Sequence, residues 1–309
     1  MTVSVETSGF VDLQVNGFGG VDFSSPELTA EDFINACRQV LQRGTAAFLP
    51  TVITSPPELY QRNLPLMAEA MAAEEFAGRL LGFHIEGPFL SPLPGAIGAH
   101  NPEWIRLPDT DLLDRMQTWA GGKIRMITIA ADSPGADDLC RHATDMGIVV
   151  SLGHHMATRD DLHRLAAAGA KALTHLGNGL PNKLNRHDNP LWAGLACDEL
   201  TAMLIADGHH LPAGMLKVML RAKGVENVVI VSDTSPIAGL PPGRYETLGN
   251  LAVLETNGLL HNPDRQCLVG SSATMRDCMN YLASLNLLTG EEIAAVGRVN
   301  PLRLLVSVF

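Results

Sequence analysis

Residues 80–89 read Leu80-Leu81-Gly82-Phe83-His84-Ile85-Glu86-Gly87-Pro88-Phe89, an apolar run that ends in a carboxylate. An ionisable side chain at the C-terminal end of a short apolar strand is where a parallel βα enzyme keeps its chemistry. The pattern recurs downstream. Gly147-Ile148-Val149-Val150-Ser151-Leu152 leads into Gly153-His154-His155, and Ala170-Lys171-Ala172-Leu173-Thr174 leads into His175. Ala202-Met203-Leu204-Ile205-Ala206 precedes Asp207-Gly208-His209-His210, and Val228-Val229-Ile230-Val231-Ser232 precedes Asp233. Strand ends that converge on Glu, His and Asp point to a metal hydrolase built on a barrel.

Short apolar runs at residues 10–15, 46–52, 80–85, 124–129, 148–152, 170–174, 202–206 and 228–231 alternate with amphipathic segments such as 30–43, 57–73, 137–146, 159–168 and 212–223. Apolar spacing that switches between strand-like and helix-like periods is βα alternation, with each helix a right-handed crossover. The expected fold is α/β, a (β/α)8 TIM barrel. Such a barrel takes about 250 residues, so the 309 of this chain are read as one domain over 1–309. The Gly-, Pro- and Asn-rich stretch 233–271 reads as a loop carrying a hairpin, with its turn at Thr256-Asn257-Gly258-Leu259. Helices at about 274–287 and 291–299 then close the barrel before an apolar tail, 302–309.

The net charge of -11 argues against non-specific nucleic-acid binding, which needs a basic surface, and demands a local cationic pocket for any anionic substrate. Cys37, Cys140, Cys197, Cys267 and Cys278 form no CxxC pair and are read as reduced. No charged segment followed by an apolar one opens the chain, and no apolar stretch reaches about 18 residues. The expectation is a cytoplasmic protein with no membrane span.

Divalent metals such as zinc take imidazole nitrogen and carboxylate oxygen, and a catalytic site leaves room for water beside three protein ligands. Glu86, His154 and His175 supply that set. Adjacent side chains on extended backbone face opposite ways, so His155 and His209 are expected to point away from the site that His154 and His210 face. Asp233 is either a turn cap or, at the mouth of the last strand, a general base; its position favours the base. Gln14 and Asn16 stand after the first strand, where metal hydrolases of this architecture often carry a His-x-His pair. Amides are weak ligands, so one metal ion is expected rather than two; loop hydrogen bonding stands equally beside ligation for Gln14 and is the favoured reading for Asn16.

Several motifs run in one order along the chain: Phe10-Val11-Asp12-Leu13-Gln14-Val15-Asn16-Gly17, His84-Ile85-Glu86-Gly87-Pro88-Phe89, Gly98-Ala99-His100-Asn101-Pro102, Ser151-Leu152-Gly153-His154, Thr174-His175-Leu176-Gly177-Asn178, Ile205-Ala206-Asp207-Gly208-His209-His210, Val231-Ser232-Asp233 and Gly270-Ser271-Ser272-Ala273-Thr274-Met275. In this the chain resembles the amidohydrolase superfamily and, within it, the N-acetylglucosamine-6-phosphate deacetylase family. The resemblance implies that Glu86, His154 and His175 hold one divalent ion, Zn2+ or Fe2+, with Gln14 a weak or water-mediated contact. It implies Asp233 as acid/base and His100 as the group that polarises the acetyl carbonyl. Asn178 and Gly179 match the sugar-contacting loop, and His210 and Arg186 the phosphate-binding pair, the Arg being one that reaches into a neighbouring subunit of a homodimer. The implied substrate is an amino-sugar phosphate.

The chain also departs from that pattern. Members of the family carry a small β domain made before the first barrel strand and after the last helix, and this sequence leaves no room for it, so a barrel without the β-sandwich is expected. The loop Pro181-Asn182-Lys183-Leu184-Asn185-Arg186-His187-Asp188-Asn189-Pro190-Leu191-Trp192 differs from the family's and reads as the specificity element. Two other readings stand beside the first: a deacylase of another N-acyl amino sugar or amide, and a non-catalytic sugar-phosphate-binding barrel.

Overall fold

In the computed structural model, which describes residues 9–306, eight strands form one parallel sheet in chain order. They are β1 (Phe10–Val15), β2 (Thr45–Ile53), β3 (Phe83–Glu86), β4 (Ile124–Ile129), β5 (Val149–Leu152), β6 (Ala172–Leu173), β7 (Thr201–Ile205) and β8 (Val228–Val231). Helices α1 (Ala30–Gln42), α2 (Pro57–Ala70), α3 (Thr110–Trp119), α4 (Ala136–Asp145), α5 (Arg159–Ala167), α6 (Pro190–Leu195) and α7 (Ala213–Lys223) fill the crossovers, and α8 (Met275–Ser284) follows. The result is the (β/α)8 barrel.

Local chemistry starts these helices where they start. Thr158 and Asp161 form a capping box at α5, and Thr274 and Asp277 another at α8, each pair satisfying backbone N–H groups the first turn leaves unpaired. Helix α3 lies in a stretch from which sequence periodicity drew no helix; Asp109 caps it, and Leu112, Leu113 and Met116 form its buried face. Strand β3 is shorter than the 80–85 run suggested. Gly82 adopts φ 132 and a Cβ there would stand 2.6 Å from the Lys123 carbonyl, so the ladder begins only at Phe83, with Leu80 reduced to an isolated bridge to Phe48.

The first and last strands meet at a seam with little ladder of its own. An isolated bridge joins Val15 to Thr234, and Asn16 N–H donates to the Thr234 carbonyl at 2.8 Å. Side-chain chemistry completes the closure: the fully buried Asp12 carboxylate accepts from Ser232 N–H at 3.1 Å, from Gln14 N–H at 3.3 Å and from the Ser232 hydroxyl. Burial pushes the Asp12 carboxyl up to about 7, against the bonds from Ser232.

Inward-facing residues of the strands, among them Val11, Leu13, Leu49, Met126, Val149, Met203 and Val229, form one apolar cluster that fills the barrel. Leu304 and Leu305 complete it. They belong to α10 (Asn300–Val306), which continues a π-helical turn, Ala295–Val299, after α9 (Gly290–Ala294). The tail at 302–309 is therefore helical through Val306, and residues 307–309 lie outside the described residues. A larger cluster packs the helices on the outside of the sheet.

The stretch 233–271, expected as a loop with a hairpin, carries four antiparallel strands instead: β9 (Gly243–Thr247), β10 (Asn250–Leu254), β11 (Leu260–Asn262) and β12 (Cys267–Leu268). Turn residues punctuate these short strands, and β11 and β12, of three and two residues, are too short to show a period, which is why the sequence reads as loop. The chain turns between β10 and β11 at residues 255–259, with Gly258 at φ 90. Leu248, Ala252, Leu254, Leu260 and Val269 pack with Ile53 and Ile237 into a small core of their own, seated on the strand ends of the barrel. All five cysteines are free, and no helix among the described residues is long and apolar enough to cross a membrane.

Candidate active site

At the ends of β5, β6 and β8 the chain turns on residues that are not glycine. His154, His175 and Asp233 take φ values of 52, 28 and 52, a region that costs an L-residue energy and recurs at functional sites. The turns bring the side chains of the three strands over the barrel mouth, where they meet Glu86 from the end of β3. Two glycines make room. A Cβ on Gly98 would stand 3.0 Å from His154 Cε1, and one on Gly179 would stand 2.9 Å from His154 Nδ1.

The donor atoms converge. His154 Nε2 lies 3.1 Å from His175 Nε2 and 3.2 Å from Glu86 Oε1, and His175 Nε2 lies 3.0 Å from the same oxygen. His154 Nδ1 donates to the Ala96 carbonyl at 2.8 Å, which leaves Nε2 as a bare lone pair aimed at the other two groups. Lone pairs of two imidazoles and a carboxylate facing one point, all buried, are the donor set a divalent cation takes, so the residues present fit such an ion. A second grouping, His163, Cys197 and Glu199, lies away from the cavity. There Arg159 donates to His163 Nε2 at 3.2 Å and Nδ1 lies 3.2 Å from Glu199, a hydrogen-bond chain at the surface.

The electrostatics sort the ionisable groups. Burial opposes charge on Glu86, yet the imidazoles of His154 and His175 against its carboxylate hold it well below the usual carboxylate range. Burial, then the neighbouring His154, pushes His100 down to about 3, so its imidazole is neutral; His100 Nε2 lies 3.2 Å from His154 Nε2. Asp233 goes the other way, raised by burial and then by the charge of Glu86. Its Oδ1 accepts from Gln14 Nε2 at 3.1 Å and from Asn16 Nδ2 at 2.7 Å, while Oδ2 has no hydrogen-bond partner among the described residues. Gln14 Nε2 also donates to Glu86 Oε1 at 3.0 Å. The two amides thus act as hydrogen-bond donors that hold carboxylates.

Above this cluster opens a cavity of about 990 Å³, lined by Glu86, His100, His154, His175 and Asp233 at its floor and by Asn178, Gly179 and His210 on its wall. These eight residues singled out from sequence, and Asn16 with them, therefore share one cavity. His210 Nδ1 pairs with Asp207 at 2.8 Å, and Ser271 donates to the same carboxylate oxygen. His155 is buried beside the site but accepts from Ala157 N–H at 3.1 Å, and His209 turns to the Asn257 carbonyl, so neither lines the cavity. Arg186 does not reach it either. It is exposed on the 181–192 loop, its carbonyl accepting from Trp192 Nε1 at 3.1 Å, and Lys183 and His187 are exposed with it. Arg265 and His261, on the sheet inserted after β8, do line the cavity, and no sequence signal marked them.

No family model matches the chain. It is 33% identical to the N-acetylglucosamine-6-phosphate deacetylase of Bos taurus and 31% identical to that of Bacillus subtilis, over 96% of this chain and 73% and 74% of those proteins. The solved structure of a mutant N-acetyl-D-glucosamine-6-phosphate deacetylase from Mycobacterium smegmatis, in complex with N-acetyl-D-glucosamine-6-phosphate, superposes with a TM-score of 0.87 at 27% identity, covering 96% of this chain and 77% of that one.

Proposed function

The chain belongs to the N-acetylglucosamine-6-phosphate deacetylase family, and from that premise we propose that it hydrolyses the N-acetyl group of N-acetylglucosamine 6-phosphate, yielding acetate and glucosamine 6-phosphate. The observation that carries the assignment to particular residues is the meeting of His154 Nε2, His175 Nε2 and Glu86 Oε1 beneath a cavity that Asp233 and His100 also line. Those three residues would hold one divalent ion, and zinc suits the mixed imidazole and carboxylate set. Bound there, it would supply Lewis acidity toward water and toward the acetyl carbonyl.

The protein groups then have separable tasks. Gln14 and Asn16 engage Asp233 Oδ1 and leave Oδ2 to take the proton of the attacking water. The raised proton affinity of Asp233 matches that role, because a base that has accepted a proton must keep it until the C–N bond breaks and then return it to the departing amine. His100, neutral in its buried setting, donates a hydrogen bond to the oxygen on which negative charge develops. Asn178 and Gly179, on the cavity wall, would contact the sugar and His210 the phosphoryl group, while Arg186 would act only on a neighbouring copy in a homodimer. A cytoplasmic setting agrees with a phosphorylated substrate.

The test is acetate release from N-acetylglucosamine 6-phosphate by protein of measured metal content, beside Asp233→Asn. The reading expects turnover by the parent and a fall in kcat of about 10²–10⁴-fold in the variant, with metal content kept. A variant as active as the parent sinks the acid/base assignment.

A further inference from the structure

A substrate with a phosphoryl group needs a cation in the cavity of a chain whose net charge is -11. Arg265 is the guanidinium that lines the cavity, and no lysine lines it among the described residues. It sits between β11 and β12 on the inserted sheet, so it comes from the same chain as the catalytic floor. Its placement is fixed: Nη1 donates to Asn250 Oδ1 at 2.8 Å and to the Ala99 carbonyl at 3.3 Å, and Nη2 donates to the His100 carbonyl at 3.3 Å.

A guanidinium has five N–H donors. Three are engaged, which leaves Nε–H and one Nη2–H without a protein acceptor among the described residues. Two free donors on a planar cation that is already tethered are suited to two oxygens of a phosphoryl group, at a smaller loss of side-chain freedom than a loose arginine would suffer. We propose that Arg265 is the residue by which this chain selects a phosphorylated sugar, donating to the phosphoryl group within a single subunit. The proposal rests on the deacetylase reading above. It adds a mechanical link: the same guanidinium grips the carbonyls of Ala99 and His100, so engagement of the phosphoryl group, remote from the scissile bond, steadies the segment that carries the polarising imidazole.

The experiment compares the parent with Arg265→Met, Arg265→Lys and Arg186→Met. It measures kcat/KM for N-acetylglucosamine 6-phosphate and for N-acetylglucosamine, and affinity for inorganic phosphate by calorimetry. The expected result is a loss of about 10–100-fold in the preference for the phosphorylated sugar in Arg265→Met, in line with a charge-assisted hydrogen bond, with partial recovery in Arg265→Lys and a parallel loss of phosphate affinity. Equal slowing on both sugars, with the preference intact, overturns the proposal and leaves Arg265 as a brace for the His100 segment alone. Collapse of the preference in Arg186→Met but not in Arg265→Met overturns it as well. If the parent releases acetate from neither sugar, the deacetylase reading fails, and phosphate affinity decides the remaining question: dependence on Arg265 sustains the anion site, and independence removes it.

Discussion

The His154 ring has glycine on two sides, and that is a physical reason for Gly179 beyond any contact with sugar. At φ 61, with a Cβ that would stand 2.9 Å from His154 Nδ1, Gly179 tolerates no side chain unless the imidazole moves. Gly179→Ala should therefore push Nδ1 off the Ala96 carbonyl and turn Nε2 away from His175 and Glu86, lowering metal affinity by about 10–100-fold, as loss of a ligand's orienting partner does. Metal retained after dialysis against graded chelator checks this; retention equal to the parent's would mean that the loop yields instead of the ring. At this scale the sequence was legible where function and strand ends coincide. Glu86, His154, His175 and Asp233 each follow an apolar run, so position alone flagged them. Arg265 follows no run and lies among turn residues, and nothing in its neighbours distinguishes it from a solvated loop arginine.

Among the elements, the seam between β1 and β8 carries the least regular pairing in the barrel and depends on one buried acid. Asp12, pushed up to about 7, takes a proton in the folded protein between pH 4 and 7 that the unfolded chain does not hold. Its contribution to stability thus falls as pH rises through that window, by up to about 4 kcal/mol, because each tenfold difference in proton affinity between folded and unfolded chain is worth about 1.4 kcal/mol. Asp12→Asn mimics the neutral acid, with Oδ1 still able to accept from Ser232 N–H and Gln14 N–H. The melting temperature of the variant relative to the parent should climb from pH 4 to pH 7 and level off above it, which paired thermal scans will read; a constant difference would mean that Asp12 stays ionised in the fold. Elements with a clear period were readable from sequence and the seam was not, because an aspartate inside a strand looks like a polar interruption until its partner, Ser232, is known. Two strands of the insert escaped for a simpler reason: β11 and β12 span three and two residues, below the length at which alternation can be recognised.

For the whole molecule, the interior of the barrel is finished by the chain's last described helix. Leu304 and Leu305 are 5% and 6% exposed and belong to the same cluster as Val11, Leu49 and Met203. Leu305→Ala should cost about 2–5 kcal/mol, the range for emptying a packed leucine site, whereas Val306→Ala, at an exposed position of the same helix, should cost under about 0.5 kcal/mol. Urea midpoints of the two variants test this, and similar small losses in both would show that α10 is peripheral to the barrel. The eight-strand architecture itself was visible in advance because most of the strands are dominated by buried apolar residues, β8 without interruption and β2 and β4 with few polar positions.

The seam has a kinetic side. Asp12 and Ser232, whose contact closes the ring, stand 220 residues apart, and Gln14 reaches Asp233 across 219. Such a loop is entropically costly to close and offers no local contact to reward partial closure. During synthesis from the N-terminus, β1 therefore has no final neighbour on one edge until β8 has left the ribosome. Nascent chains that stop short of β8 carry Glu86, His154 and His175 without the carboxylate opposite them. The chemistry comes into being only when the two ends of the sheet join, which ties the onset of activity to completion of the barrel.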